Sequence, residues 1–162
     1  MDRHESGFTL LETMIVIVII AILAALAIPS FSSFLEKQRI THTAEVVLGD
    51  LRWARTEAIK RNKIVRVTFT TGSPWSYSIY ADPAGSNTLL KTVNGSDFPS
   101  TTLSTIAFSG GVAYATFDPI RGANLNNGTA TITSSNYSAS VIVSILGHMR
   151  ICGTMGGYEA CS

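Results

Sequence analysis

The sequence predicts an α+β fold: one long amino-terminal helix, its first half transmembrane in character, packed on an antiparallel β-sheet head. Three observations carry this expectation. Apolar residues run unbroken from Met14 to Ile28, long enough with their flanks to span a bilayer. A helix-period apolar pattern follows, with Val47, Leu51, Ala54 and Ala58 spaced by four, three and four. From Lys63 onward the period changes to two, and Gly, Pro, Asn and Ser clusters divide the chain into short strands.

The first element begins at Gly7-Phe8-Thr9-Leu10-Leu11-Glu12. Glu12 places a carboxylate at the head of a membrane-length apolar helix, where an isolated charge is costly unless something compensates it. A cut after Gly7 would supply that compensation. Phe8 would become an α-amino terminus one helical turn from Glu12. Two other readings stand beside this one. Arg3 and His4 before an apolar core, with Ala24-Ala25-Leu26-Ala27 as a small-residue end, fit an ordinary secretory signal. Phe8 to Ile28 also fits an unprocessed transmembrane anchor. A mature amino terminus at Phe8, Ile28 or Met1 separates the three.

Pro29 marks an expected kink or pause, because it lacks an amide donor and crowds the preceding turn. Helix then resumes with Phe31, Phe34 and Leu35 opening its apolar face, and is expected to reach about Asn62 despite the weak formers Thr41-His42-Thr43. From Phe8 to Asn62 such a helix measures about 80 Å. In the first expected strand Val65, Val67 and Phe69 alternate with Ile64, Arg66 and Thr68. Further strands are expected at 77–81, 89–93, 102–108, 113–117, 129–133 and Ser140 to Leu146. Asp82-Pro83-Ala84-Gly85, Asn94-Gly95-Ser96 and Asn126-Asn127-Gly128 carry hairpin turn chemistry.

With 162 residues, the chain holds one modest soluble core besides the apolar segment. Charged residues make up 14%, and the net charge is +1, so bulk electrostatics selects no partner. Cys152 and Cys161 both lie near the carboxyl end. In an exported chain a disulfide between them would pin a tail containing Gly153, Gly156 and Gly157; two free thiols is the cytosolic alternative.

The run from Gly7 to Glu12 resembles the prepilin signature of type IV pilins and type II secretion pseudopilins. That resemblance implies a type IV pilin fold, with a leader at 1–7, a transmembrane and filament-core helix at 8–29, and a periplasmic globular domain at 30–162. It also implies a prepilin peptidase that cuts between Gly7 and Phe8 and N-methylates Phe8. Glu12 would pair with the amino terminus of a neighbouring pilin during assembly. The protein would sit once in the inner membrane with a periplasmic head, then in an extracellular pilus. Loss of residues 1–7 removes Asp2, Glu5 and Arg3 and leaves the mature chain nearly neutral.

The helix end, Asp50-Leu51-Arg52-Trp53-Ala54-Arg55-Thr56-Glu57-Ala58-Ile59-Lys60-Arg61-Asn62, resembles the FimT and GspH branch of pilins, as does the turn Phe117-Asp118-Pro119-Ile120-Arg121-Gly122. Two functions of different class follow. One is a minor pilin of the FimT kind that binds double-stranded DNA during natural transformation. The other is a GspH-like pseudopilin, structural in type II secretion and without nucleic-acid contact.

FimT-like tails carry Gly-Arg-x-Arg before a cysteine; here the run is Gly147-His148-Met149-Arg150-Ile151-Cys152. His148 replaces the first arginine and offers phosphate less attraction at pH 7. Arg150 is read as a DNA contact, with a solvated surface charge or a structural pair to Glu159 as the alternatives, and His148 and Arg121 accompany it. Arg52, Arg55, Lys60, Arg61, Lys63 and Arg66 form a denser basic cluster, read as a solvated helix flank because Asp50 and Glu57 interleave with it. Trp53, Trp75, Tyr77 and Tyr80 are read as packing residues before base-stacking ones. No histidine pair has metal-ligand spacing, and no nucleophile elbow or phosphate loop occurs, so no enzyme activity, metal or cofactor is expected.

Overall fold

The computed structural model describes residues 7–154 and 157–161. The expected leader apart from Gly7, and Gly156 of the tail, lie outside the described residues. Helix α1 covers Leu10–Arg61, and its assignment runs through both Pro29 and Thr41–Thr43. The chain divides into two compact units, Met1–Leu35 and Glu36–Ser162.

In the first unit, Thr9 caps the helix. Its Oγ1 accepts from the Glu12 amide at 3.2 Å, and its carbonyl accepts from the Thr13 amide at 3.2 Å. Glu12 thus occupies the third helical position, where a carboxylate suits the positive end of the helix dipole. The large apolar residues from Phe8 to Leu26 are 44–79% exposed, on every face of the helix. An α-helix apolar all round has no solvated face and needs an apolar surrounding. Its length and composition suffice to cross a membrane.

The second unit contains the whole hydrophobic core. Its helical face is Ile40, Ala44, Val47, Leu51, Ala54 and Ala58, spaced by four, three, four, three and four, and all are buried. The expected start of this face at Phe31, Phe34 and Leu35 differs from the structure. These residues are 62, 54 and 36% exposed and belong to the first unit.

Eight strands follow: β1 Val65–Thr70, β2 Ser76–Ala81, β3 Thr88–Asn94, β4 Thr102–Phe108, β5 Tyr114–Phe117, β6 Gly128–Thr133, β7 Ser138–Val143 and β8 Met149–Gly153. They form two four-stranded antiparallel sheets, ordered β3-β2-β1-β5 and β4-β6-β7-β8. In β1, Val65, Val67 and Phe69 are buried while Arg66 and Thr68 face outward, as the period of two requires.

Two expected hairpin turns instead carry the chain between sheets. Asn94-Gly95-Ser96 opens the connection from β3 to β4, with Gly95 under the Trp75 indole and its amide on the Trp75 carbonyl at 2.7 Å. A Cβ at Gly95 would approach that ring to 2.7 Å, and the indole Nε1 donates to the Thr101 carbonyl at 3.0 Å. Asn126-Asn127-Gly128 joins β5 to β6, with the Asn124 and Asn126 side chains accepting from the Thr116 amide at 3.3 and 2.9 Å. The edge of β5 is thereby covered by its own chain. The expected strand to Leu146 also ends earlier, at Val143, and Ile145 to Gly147 form a turn. After that turn Arg150 lies on β8, opposite Ile142.

Candidate assembly and nucleic-acid sites

The helix-end residues are tied into the head one by one. Asp50 accepts from the buried Tyr77 hydroxyl at 2.7 Å and from Lys91 Nζ at 2.7 Å. Burial foremost, then the hydrogen bond to Asp50 and its charge, push the Tyr77 phenol far above the usual phenol range. Glu57 holds Arg61 at 2.6 Å and Lys60 at 3.5 Å, and the Arg61 hydrogen bond keeps its carboxyl below the ordinary range. Asn62 has φ 52°, and the amides of Asn62 and Lys63 donate to the carbonyls of Ile59 and Ala58. This is a Schellman ending, which requires a left-handed residue where Asn stands. Much of the helix-end pattern therefore holds the head together.

Arg55 does so by joining two turns. Its Nε donates to the Gly122 carbonyl at 2.9 Å, and a Cβ at Gly147 would lie 2.6 Å from that carbonyl oxygen and 3.1 Å from the same Nε. Both glycines have positive φ, 60° and 76°, so backbone conformation and close approach together demand glycine. The Asn124 amide bonds to the Ile145 carbonyl at 2.9 Å and locks the turns side by side. Asp118 Oδ1 shapes the first turn by accepting from the amides of Ile120 and Arg121 at 2.7 and 3.1 Å. Arg121 and His148, distant in sequence and both exposed, thus lie on adjoining turns.

Arg150 borders two depressions. One, of about 310 Å³, also has His148 and Ser144 in its wall. The other, an open groove of about 440 Å³, runs between α1 and β8 with Arg52, Glu45 and Tyr158 around it. Arg52 was not among the residues the tail motif singles out. Its spacing of three from Arg55 puts both on one side of the helix, a clue the charge count alone does not convey. The other basic residues of that cluster are engaged elsewhere: Lys60 and Arg61 with Glu57, Lys63 with Asp82 at 2.8 Å, and Arg66 over the Tyr114 ring.

Cys152 and Cys161 are bonded, with Cα atoms 5.0 Å apart, and the tail folds back beside β8. The Gly153 amide donates to the Glu159 carbonyl at 3.0 Å, and the Tyr158 hydroxyl donates to Glu45 at 2.8 Å. Arg150 Nη1 lies 3.5 Å from Glu159 Oε2, so the pair that sequence offered as an alternative role for Arg150 is present. The side chains are 47 and 87% exposed, and solvent leaves such a pair worth about 0–1 kcal/mol. A phosphate can displace it. Trp75 and Tyr77 are core residues, unavailable to bases, whereas Trp53 is partly exposed.

A family model described as Type II transport protein GspH matches residues 43–147, and one described as Prokaryotic N-terminal methylation motif matches residues 2–28. The chain belongs to the GspH family. Among solved structures, the type IV minor pilin FimU of Pseudomonas aeruginosa superposes with a TM-score of 0.55 at 19% identity, over 73% of this chain and 91% of that one. The pilin fold is shared. A fimbrial protein of Pseudomonas aeruginosa is 35% identical over 77 residues, 48% of this chain and 49% of its own. Fimbrial protein Q of Moraxella bovis is 42% identical over 52 residues, 32% of this chain and 31% of its own. Type II secretion system core protein G of Pseudomonas aeruginosa is 42% identical over 50 residues, 31% and 32% of the two chains. The chain spans about half the length, or less, of these curated relatives. Within the GspH family, the matched span contains Arg52, Arg55 and Arg121 and stops just before His148, Arg150 and the disulfide.

Proposed function

We propose that this chain is a minor type IV pilin that assembles into a pilus and contacts double-stranded DNA, without sequence preference, at its head rim. The observation that carries the assembly reading is the apolar helix exposed on all faces, which demands a bilayer before assembly and other pilin helices after it. Among the described residues the Glu12 carboxylate has no hydrogen bond or ion pair, so a neighbouring subunit's amino terminus is its natural partner. Cleavage by prepilin peptidase between Gly7 and Phe8, with N-methylation of Phe8, creates that terminus. The protein starts as a single-pass inner-membrane protein with a periplasmic head, residues 30–162, and performs no catalysis.

Support for DNA contact comes from Arg52, Arg121, His148 and Arg150 on adjoining surfaces, where the Arg150 pair with Glu159 is exposed and Glu45 is bonded to the Tyr158 hydroxyl. A few such contacts produce weak, salt-sensitive binding, as an uptake filament requires. The GspH match and the resemblance to a secretion core protein favour a second reading, a pseudopilin without DNA contact.

Two experiments decide. A Cβ at Gly7 would meet nothing within 4 Å, so Gly7→Leu tests the peptidase and not the fold. Full-length chain that retains Met1 in this variant, while the parent begins at Phe8, is the expected outcome. Identical termini would refute processing at this bond. A fragment beginning at Glu36 should retard duplex DNA at low salt, and Arg150→Ala and Arg52→Ala should each weaken it. Each should also lower the salt slope by about one phosphate contact. Absence of any shift, with an exoprotein-release defect on gene deletion, would establish the secretion reading instead.

A further inference from the structure

The outer face of the sheet β3-β2-β1-β5 holds a cation that has no counter-ion among the described residues. Arg66 on β1 is half-buried, its Cζ 4.3 Å from the Tyr114 ring centroid, so the guanidinium is oriented by stacking. Among the described residues it makes no ion pair. The carboxylate on the turn beside it, Asp82, is already held by Lys63 at 2.8 Å and by Ser86. A second anomaly sits directly opposite in the β1–β5 register. Thr116 is only 5% exposed, yet among the described residues its hydroxyl has no hydrogen-bond partner, and neither has Arg66 Nε. Both residues line an open groove of about 370 Å³ whose other walls include Ile64, Val112 and Leu125.

Arg66 Nε and the Thr116 hydroxyl are closed to solvent beside this groove, and buried unpaired polar groups are costly until a ligand toward which they can turn satisfies them. We propose that this groove docks an acidic side chain from a partner protein segment, with apolar residues on either side of it. The carboxylate pairs with the Arg66 fork, the Thr116 hydroxyl rotates toward it, and the flanking residues lie on Ile64, Val112 and Leu125. One planar guanidinium among aliphatic walls matches a carboxylate better than a phosphate, because among the described residues no second cation lines the groove. The open shape suits a chain segment, whereas small-molecule pockets enclose most of their ligand. Strand addition is excluded as the docking mode. The Thr116 amide is already bonded to Asn124 and Asn126, and Asn126 Nδ2 donates to the Tyr114 carbonyl, so the segment lies across the sheet face.

The test is a heteronuclear NMR titration of the fragment beginning at Glu36, which contains the entire core. The probes are acetyl-Leu-Glu-Leu-amide, its Gln counterpart, hexanoate and inorganic phosphate. The Glu peptide should shift the Arg66 Nε–Hε resonance and the Tyr114 and Thr116 amides, with at least five-fold higher affinity than the Gln peptide. Arg66→Gln should abolish that preference, Tyr114→Leu should reduce it, and Arg150→Ala should leave it intact. Equal binding of the Glu and Gln peptides on the unaltered fragment would overturn the proposal. So would hexanoate or phosphate binding as well as the Glu peptide, or an undiminished preference in Arg66→Gln.

Discussion

Replacing Asp50 with alanine strands a hydroxyl in the core. Tyr77 is almost fully buried, and its phenol finds its acceptor in Asp50 at 2.7 Å. An unsatisfied buried hydroxyl costs about 1–3 kcal/mol. Loss of the partly exposed Lys91 pair adds about 0–1 kcal/mol, for a total of roughly 3 kcal/mol. Tyr77→Phe removes the donor but leaves Asp50 with Lys91, and should cost only about 1 kcal/mol. The double variant strands nothing. It should cost about 2 kcal/mol, less than the sum of the singles, with a coupling of roughly 2 kcal/mol. Urea unfolding of the Glu36 fragment measures all four corners, and Asp50→Ala should lower the midpoint by on the order of 1.5 M. Additive losses, or an Asp50→Ala cost below about 0.5 kcal/mol, would refute the idea that this carboxylate anchors the helix to the sheet.

The same contact governs alkaline stability. Burial and Asp50 make the folded state hold the Tyr77 proton more tightly than the unfolded chain does. Its contribution is therefore complete below about pH 10 and declines as pH rises beyond it, an effect that should shrink in Tyr77→Phe when unfolding is followed from pH 8 to 11.5. Tyr158, raised by burial and then by Glu45, acts in the same direction. Asn62→Val should cost about 1–2 kcal/mol through left-handed backbone strain at an exposed site, while Asn62→Gly stays within about 0.5 kcal/mol, by the same urea assay. Reduction of the Cys152–Cys161 bond, which spans nine residues, should cost about 2.5 kcal/mol by loop closure and release Tyr158 from Glu45, read as faster amide exchange around Tyr158.

Periodicity made much of this architecture legible. Val47, Leu51, Ala54 and Ala58 form the buried helix face as their spacing requires, and the alternation of Val65, Val67 and Phe69 places β1 and its inner side. The turn residues at Asp82 to Gly85 close the β2–β3 hairpin, with Asp82 at φ 54°. Local patterns encode these because each depends only on neighbours within a few residues. Asn94-Gly95 illustrates the limit. Its turn chemistry was readable, but the chain goes on to the other sheet, and the contact that covers Gly95 comes from Trp75, some twenty residues away.

For the candidate sites the division is similar. The run from Gly7 to Glu12 and the two cysteines near the carboxyl end stood out in the chain itself, because a charge beside an apolar run, or two thiols close together at one end of the chain, are local anomalies. The rim was not. Only folding sets Arg52 beside Arg150, lays the Arg121 turn against the His148 turn over Arg55, and pairs Lys63 with Asp82, whereas Lys60 and Arg61 meet Glu57 at the local spacings of three and four along the helix. The unpaired Arg66 and Thr116 belong to the same class, since partnership is decided by what lies across a sheet and not by what lies along the strand. Sequence by itself determined the periods, the turns and the membrane-length helix; tertiary structure decided which charges distant along the chain are paired within the head, because Coulomb and hydrogen-bond energies fall off over a few ångströms of space regardless of distance along the chain.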